Sequence, residues 1–177
     1  MRQIEGSQWW GLLGATAIVW LAGCPAADSG GPVKPVFGAK SLVPESADAM
    51  ADRLIDLINQ ARLGQGLKPL QKNPTLSRLA EEYAARLIER KFFSHLDPGT
   101  GFGPGQRALQ NGYLFLSVGE NLAAGQTAPE AVVEDWMAST EGHRENILSV
   151  QWKEVGAAVR TGGEYGTYWV VEFGNPP

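Results

Sequence analysis

Three side chains that could do chemistry together, two histidines and a glutamate, lie in separate polar segments of the sequence. His95 and His143 are the only two histidines of the chain, and Glu120 lies between them in a glycine-flanked segment. Two neutral imidazoles and one carboxylate could hold zinc and leave a position open for water. They could equally form a hydrogen-bonded polar cluster in which Glu120 orients an imidazole.

The spacing of these residues leaves both interpretations open. No pair has the separation of a local metal motif, such as two histidines one helical turn apart. A shared site therefore requires the fold to bring the three segments together; otherwise each histidine caps a helix or satisfies a loop carbonyl. Ser139 precedes His143 by four residues and could be its hydrogen-bonding neighbour, a nucleophile, or a helix-end residue that bonds its own backbone.

Composition limits the class of partner. Hydrophobic residues make up 44% of the chain, which is enough for a folded core, and the formal net charge is -4. An acidic chain argues against nucleic acid as a partner, because phosphate binding relies on a basic surface. Cys24 is the only cysteine, so no internal disulfide can form and burial must supply the stability.

The beginning of the chain is typical of an export signal. Residues 9–22 are nearly all apolar or small, too few to span a membrane as a helix, and they run into Leu-Ala-Gly-Cys at 21–24. This resembles the lipobox of bacterial lipoproteins, which are cleaved before a cysteine that then carries a diacylglyceryl group. We expect a signal peptide over 1–23, lipidation of Cys24 and a flexible Pro/Gly-rich tether over 24–44. The alternative is an ordinary secretory signal that is cut elsewhere.

Residues 45–177 are predicted to form one α/β domain. Apolar residues recur at helical spacing after Ser46, a predicted N-cap, and again after Asn73-Pro74. Thr127 followed by Glu130 suggests a capping box for a later helix. The last third changes to an alternating pattern around a Gly-Gly turn at 162–163, which predicts a β-hairpin.

Five segments together resemble one protein family. The chain resembles the CAP superfamily, which groups cysteine-rich secretory, antigen 5 and plant pathogenesis-related proteins, and is most similar to its short bacterial SCP-domain members. The segments that carry this resemblance occur in the family's order and are FSHLDP at 93–98, GENLAAG at 119–125, AVVEDWMAS at 131–139, GHRENIL at 142–148 and YWVVEFG at 168–174.

The resemblance implies a three-layer α-β-α sandwich with a small central antiparallel sheet and a cleft. In eukaryotic members two histidines and two acidic residues line the cleft and can bind a divalent metal such as zinc. His95 and His143 match the two histidines, and Glu120 matches the acid of the GEN segment. The second acid usually follows the helix tryptophan by three residues, where this chain has Ser139. His95, His143 and Glu120 are therefore the metal-binding candidates.

Three functions follow from the resemblance. The first is a module that binds a small lipid-like or cell-envelope ligand through His95, Glu120, His143, Ser139 and Asn121. The second is a hydrolase, metal-assisted or based on His and Glu, with the first three as catalytic residues. The third is an envelope adhesion or scaffolding module. We expect a monomer that is held at the bacterial cell envelope by Cys24, on the periplasmic side or at the cell surface, or is otherwise secreted.

Overall fold

The computed structural model describes residues 46–177. The predicted signal peptide, Cys24 and the tether lie outside the described residues. The helices and strands follow in chain order: α1 Ala47–Gly64, β1 Gln71–Lys72, α2 Pro74–Glu89, α3 Pro104–Gln110, β2 Ser117–Ala124, α4 Pro129–Ala138, α5 His143–Leu148, β3 Glu154–Thr161 and β4 Thr167–Asn175.

The two long helices begin where local chemistry predicts. The Ser46 side chain accepts a hydrogen bond from the backbone N–H of Ala49, and Asn73 accepts from Thr75 and Leu76. These bonds satisfy backbone donors that have no partner inside a helix. Pro74 fits the first turn of α2 because that position needs no donor.

The sheet has the strand order β1-β3-β4-β2. β4 is antiparallel to both β3 and β2, whereas the two-residue strand β1 runs parallel to β3. The sheet is therefore mixed, although its three long strands form the antiparallel sheet that was expected. β2 lies at an edge, and this edge carries the candidate site.

Helices cover both faces of the sheet, which confirms the three-layer sandwich. Side chains alternate along each strand, so one face packs on α1, α4 and α5 and the other on α2 and α3. In β4, Trp169, Val171 and Phe173 belong to the first core, while Tyr168 and Val170 belong to the second. None of the helices within 46–177 has the length and apolar content of a membrane span.

One strand was not predicted from the sequence, and one predicted helix cap is wrong. The GENLAAG segment forms most of β2, although it lacks the alternation of a typical strand. The capping box at Thr127 is absent, because α4 begins at Pro129 and its N-cap is Ala128, which has no side-chain cap. A proline that fixes φ in the first turn sets this helix start instead.

Candidate functional site

The edge strand β2 sends neighbouring side chains to opposite faces of the sheet. Glu120 points toward α3, where it meets Arg107, and Asn121 points toward α5, where it meets Asn146. Successive residues of a strand face opposite sides, so the two sequence neighbours organise different layers. Gly119 precedes them, and a Cβ there would lie 2.9 Å from the Trp152 ring. The strand can approach Trp152 this closely because residue 119 has no side chain.

His95 is held directly by Glu120. Its Nδ1 donates to Oε1 of Glu120 at 2.7 Å, and the His95 side chain is 53% exposed whereas that of Glu120 is fully buried. The bond places the proton on Nδ1, because a carboxylate can only accept. Nε2, which makes no hydrogen bond within 46–177, remains available to a ligand.

The loop that carries His95 is anchored by a buried aspartate. Asp97 is fully buried and accepts from the backbone N–H of Gly99 at 2.7 Å, from Arg86 on α2 and from Arg90, the C-cap of α2. Burial alone would raise the pKa of Asp97, but the Gly99 N–H and the two guanidinium groups outweigh it and lower this pKa. An ionised Asp97 therefore fixes the turn that follows His95.

Arg107 connects the histidine loop to the sheet and was not singled out by the sequence. Its Nη1 donates to the carbonyls of His95 and Phe102, and its Nη2 lies 2.5 Å from Oε2 of Glu120. The guanidinium carbon lies 3.4 Å from the centre of the Tyr83 ring, a cation–π contact. Arg107 is 2% exposed, so this ion pair with Glu120 is protected from solvent.

Glu172 is a second buried carboxyl group that sequence reasoning missed. It lies opposite Glu120 in the β2–β4 register, is 1% exposed, and its Oε1 is 3.8 Å from Nη2 of Arg107. Burial first, and then the charge of Glu120, raise the pKa of Glu172 well above its usual value. A glutamate within the apolar run YWVVEF indicates a buried carboxyl group. That it lies opposite Glu120 follows only from the β2–β4 register.

Asn121 and Asn146 fix the start of α5 on the other face. Asn121 is fully buried; its Nδ2 donates to the His143 carbonyl at 3.0 Å, and its Oδ1 accepts from Asn146 at 3.0 Å. Asn146 also donates to the Glu120 carbonyl. Both polar groups of Asn121 are thus engaged within the protein, and its role in this structure is to position His143.

His143 forms the second half of the site together with Ser139. The Ser139 hydroxyl lies 3.1 Å from Nδ1 of His143 and accepts from the backbone N–H of Glu141 at 3.0 Å. Partial burial, followed by the charge of His95, lowers the pKa of His143. In a neutral ring with an unprotonated Nδ1, this nitrogen accepts a hydrogen bond from the Ser139 hydroxyl, so Ser139 orients the imidazole.

The fold thus brings the three predicted residues to the two sides of one strand. His95 and Glu120 are in direct contact, and His143 lies within electrostatic range of His95. However, residues 46–177 contain no group of three or more His, Cys, Asp or Glu side chains arranged to hold a metal ion. Glu120 already binds Arg107 and His95, which leaves two imidazoles, fewer than the three protein ligands of a catalytic zinc site. The side chains present do not fit a three-ligand zinc centre.

A cavity of about 430 Å³ lies beside His143 and is called here the aromatic cavity. It is lined by Leu122, Ala123 and Ala124 of β2 and by Trp136 of α4. Phe93 and Tyr165 flank it with rings 6.0 Å apart, edge to face, and they are 43% and 49% exposed. The other lining residues are polar: Gln126, Asp135, Ser139 and His143. A concave, mostly apolar wall with a few polar groups is typical of a small-molecule site.

Comparison with known proteins supports the three-layer α-β-α fold. The chain is 37% identical over 130 residues to YkwD of Bacillus subtilis (strain 168), a match that covers 73% of this chain and 49% of that protein. The chain thus spans about half the length of this curated relative.

Several solved structures are similar, among them two with at least 25% identity. An outer surface protein from Borrelia burgdorferi matches with a TM-score of 0.65 and 27% identity, over 71% of this chain and 92% of that one. An extracellular protein containing a SCP domain from Bacillus anthracis str. Ames matches with a TM-score of 0.64 and 25% identity, over 76% and 44%. The model of the cysteine-rich secretory protein family matches residues 55–173, which include every residue of the site described above. The chain therefore belongs to the cysteine-rich secretory protein family, the CAP superfamily.

Proposed function

We propose that this protein is an exported binding module that takes up a small, mostly apolar ligand in the aromatic cavity. The observation that carries the proposal is the pair of exposed aromatic rings, Phe93 and Tyr165, at the edge of that cavity. Aromatic surface left in water beside a concave apolar wall favours binding, because a ligand that covers it removes apolar area from water.

The polar end of the cavity would orient the ligand. Nε2 of His143 makes no hydrogen bond within the described part of the chain, and Ser139 keeps Nδ1 engaged. In a neutral ring with the proton on Nε2, that nitrogen can donate to a ligand oxygen. A lipid-like molecule with one hydroxyl or carbonyl group suits this combination of a broad apolar wall and a single polar end.

The proposed location follows from the beginning of the sequence and from the relatives. An apolar stretch that leads into Cys24 is typical of a lipoprotein signal, and two similar structures are described as outer-surface and extracellular proteins. We therefore propose export and a lipid anchor at Cys24. Mass spectrometry of the mature protein tests this: an acylated N-terminal Cys24 supports it, and a mature N-terminus elsewhere overturns the anchor.

Ligand uptake can be tested with Nile red, an uncharged apolar dye whose fluorescence rises in apolar surroundings. We expect saturable binding by the full chain and about tenfold weaker binding by the double variant F93A/Y165A, since tenfold corresponds to about 1.4 kcal/mol of lost contact. The matched control is L114A/L116A, which removes two exposed apolar side chains that do not line the cavity. Equal weakening by both double variants would overturn the proposal.

A hydrolase is the second candidate because of the contact between Ser139 and His143. Ser139 and His143 match only two members of the Ser-His-Asp arrangement of serine hydrolases. Within residues 46–177 no carboxylate hydrogen-bonds to the His143 ring and orients it. Hydrolysis of p-nitrophenyl acetate distinguishes the two functions. Activity that S139A and H143Q both abolish, in protein that still binds Nile red, would favour the enzyme.

A further inference from the structure

A second cavity, of about 700 Å³, lies away from the aromatic cavity and shares no residue with it. It is bounded by the loop after α1, the loop between α5 and β3, and Pro176, which follows β4. Its charged lining consists of Arg62, Lys68, Lys153 and Glu154, and its apolar wall of Leu67, Pro69, Val150, Trp152 and Pro176. Three cations against one carboxylate contrast with a chain whose net charge is -4.

Arg62 is the unusual member of this lining. It is 2% exposed, yet no carboxylate within residues 46–177 forms an ion pair with it. Its Nε donates to the Lys68 carbonyl, and its Nη1 donates to the carbonyls of Ile147 and Ser149 at 2.7 and 2.8 Å. A guanidinium has five N–H donors, so the two on Nη2 are left without a hydrogen bond in the described chain.

This arrangement leaves a buried cation only partly compensated. The carbonyl groups supply partial negative charge, and the C-terminal end of α1, where Arg62 lies, supplies a little more. Burial lowers the pKa of Arg62, which reflects the cost of keeping an unpaired cation away from water. A buried charge normally has a counter-ion, and an anion in the cavity would supply one.

The carboxylate of Glu154 does not fill this role. Its Oε2 accepts from Asn73 Nδ2 at 3.0 Å and from the Tyr113 hydroxyl at 2.7 Å, on the side of the sheet that faces α2 and α3. Lys68 and Lys153 are exposed and form no ion pair in the described chain, so they add positive potential at the entrance.

We propose that this cavity is an anion site, in which Nη2 of Arg62 donates to a carboxylate or phosphate group of a small ligand. Lys68 and Lys153 attract the anion, and Leu67, Trp152 and Pro69 cover its apolar part. Three carbonyl groups hold the guanidinium in place before the ligand arrives, so little side-chain freedom is lost on binding. The site is independent of the ligand proposed for the aromatic cavity.

The test is an NMR titration of the purified full chain at constant ionic strength with three probes: benzoate, its uncharged analogue benzamide, and inorganic phosphate. We expect saturable shifts of the Arg62 side-chain N–H and the Trp152 indole N–H with benzoate and none with benzamide. Shifts with benzoate alone identify a carboxylate site, and equally saturable shifts with phosphate identify a general anion site. No saturable shift with either anion at millimolar concentration overturns the proposal.

Variants separate the site from general charge effects. K68Q/K153Q removes two exposed lysines and should weaken anion binding at least threefold, whereas K91Q/R144Q removes two exposed cations that do not line the cavity and should leave it unchanged. Equal weakening by both pairs would show attraction by net charge only and overturn the site. Arg62 donates hydrogen bonds to three backbone carbonyl groups, so its own substitution can prevent folding. The two lysine substitutions test the site without changing these bonds.

Discussion

Glu120 and Glu172 lie directly opposite each other on neighbouring strands, both buried, with Arg107 beside them. The side-chain oxygens of Glu172 accept no hydrogen bond within residues 46–177, whereas Glu120 binds both Arg107 and His95. The Arg107 guanidinium neutralises the Glu120 carboxylate, so the three side chains together carry no net charge when Glu172 is protonated. The site thus depends on a carboxyl group that does not itself reach the surface.

The first prediction is that E172Q makes stability less dependent on pH. Because the folded pKa of Glu172 is raised above its usual 4.5, the folded state keeps a proton that the unfolded chain loses. The contribution of Glu172 is therefore fully present below about pH 4.5 and is lost as pH rises toward the folded pKa, at up to about 1.4 kcal/mol per pH unit. The glutamine of E172Q is neutral at every pH, so this loss of stability with rising pH does not occur in the variant.

Urea unfolding at a series of pH values from acidic to neutral measures the effect. E172Q should show a smaller fall in the free energy of unfolding than the wild type as pH rises. The control is E164Q, which removes the same charge from an exposed position in the β3–β4 turn. If E164Q and E172Q change the pH dependence equally, the effect belongs to net charge and not to the buried pair.

The second prediction concerns the two imidazoles. Because the chain has only two histidines, the NMR signals of the His143 ring can be assigned without ambiguity. We expect His143 to titrate below its ordinary pKa of 6.5, since partial burial and the charge of His95 both disfavour the imidazolium. Replacing His95 with Gln removes the like charge, so the pKa of His143 should rise while remaining below 6.5, because burial, the larger cause, is unchanged.

The same titration determines how His143 affects stability. Between 6.5 and its lower folded pKa, the unfolded chain binds a proton that the folded chain does not, so stability decreases as pH falls through that range. An unchanged His143 titration in H95Q would show that the two rings do not interact and would separate the two halves of the site.

The third prediction is that R107M is strongly destabilising, by about 3–5 kcal/mol, because it leaves Glu120 as a buried charge without its partner. E120Q in the R107M background should restore part of the loss, since it removes that charge. Urea unfolding of the two single variants and the double variant gives the coupling energy. R144M, at an exposed arginine, should change stability by less than about 0.5 kcal/mol. Additive effects of R107M and E120Q would contradict the ion pair.

The sequence predicts those parts of the fold that local chemistry determines. Ser46 and Asn73 cap their helices as expected, and the alternating apolar residues that end the chain form the β3–β4 hairpin. β2 could not be predicted in this way, because Gly, Asn and Ala have low β propensity and pairing with β4 determines the strand. Thr127 matched a capping pattern, yet Pro129 sets the helix start.

The sequence also predicted that His95, Glu120 and His143 lie close together. The contact between His95 and Glu120 and the position of His143 across the strand agree with the segments that carry the family resemblance. Arg107 and Glu172 were not predicted as site residues, because nothing in the local sequence around either indicates that it lies beside Glu120. The strand register pairs Glu172 with Glu120, and helix α3 brings Arg107 beside them. Such partners depend on tertiary structure, which composition and spacing do not specify.

The last prediction concerns the contact of α2 with the sheet beneath Glu172. Gly156 pairs with Glu172 in the β3–β4 register, and a Cβ at this position would lie 2.2 Å from the backbone of Leu76 and Ser77. Because the obstacle is helix backbone and not a flexible side chain, G156A must push α2 away from β3. We expect a loss of about 3 kcal/mol in the free energy of unfolding, at the upper end of overpacking effects.

G64A is the matched control, since Gly64 ends α1 with nothing within 4 Å of the added Cβ. Here alanine should stabilise by about 0.5–1 kcal/mol, because it favours the helix and reduces the freedom of the unfolded chain. Displacement of α2 would also disturb Tyr83 and hence the stacking of Arg107, so G156A should shift the His95 NMR signals while G64A leaves them unchanged. A fully stable G156A would show that α2 does not lie this close to the sheet, and the packing of Arg107 described here would then be wrong as well.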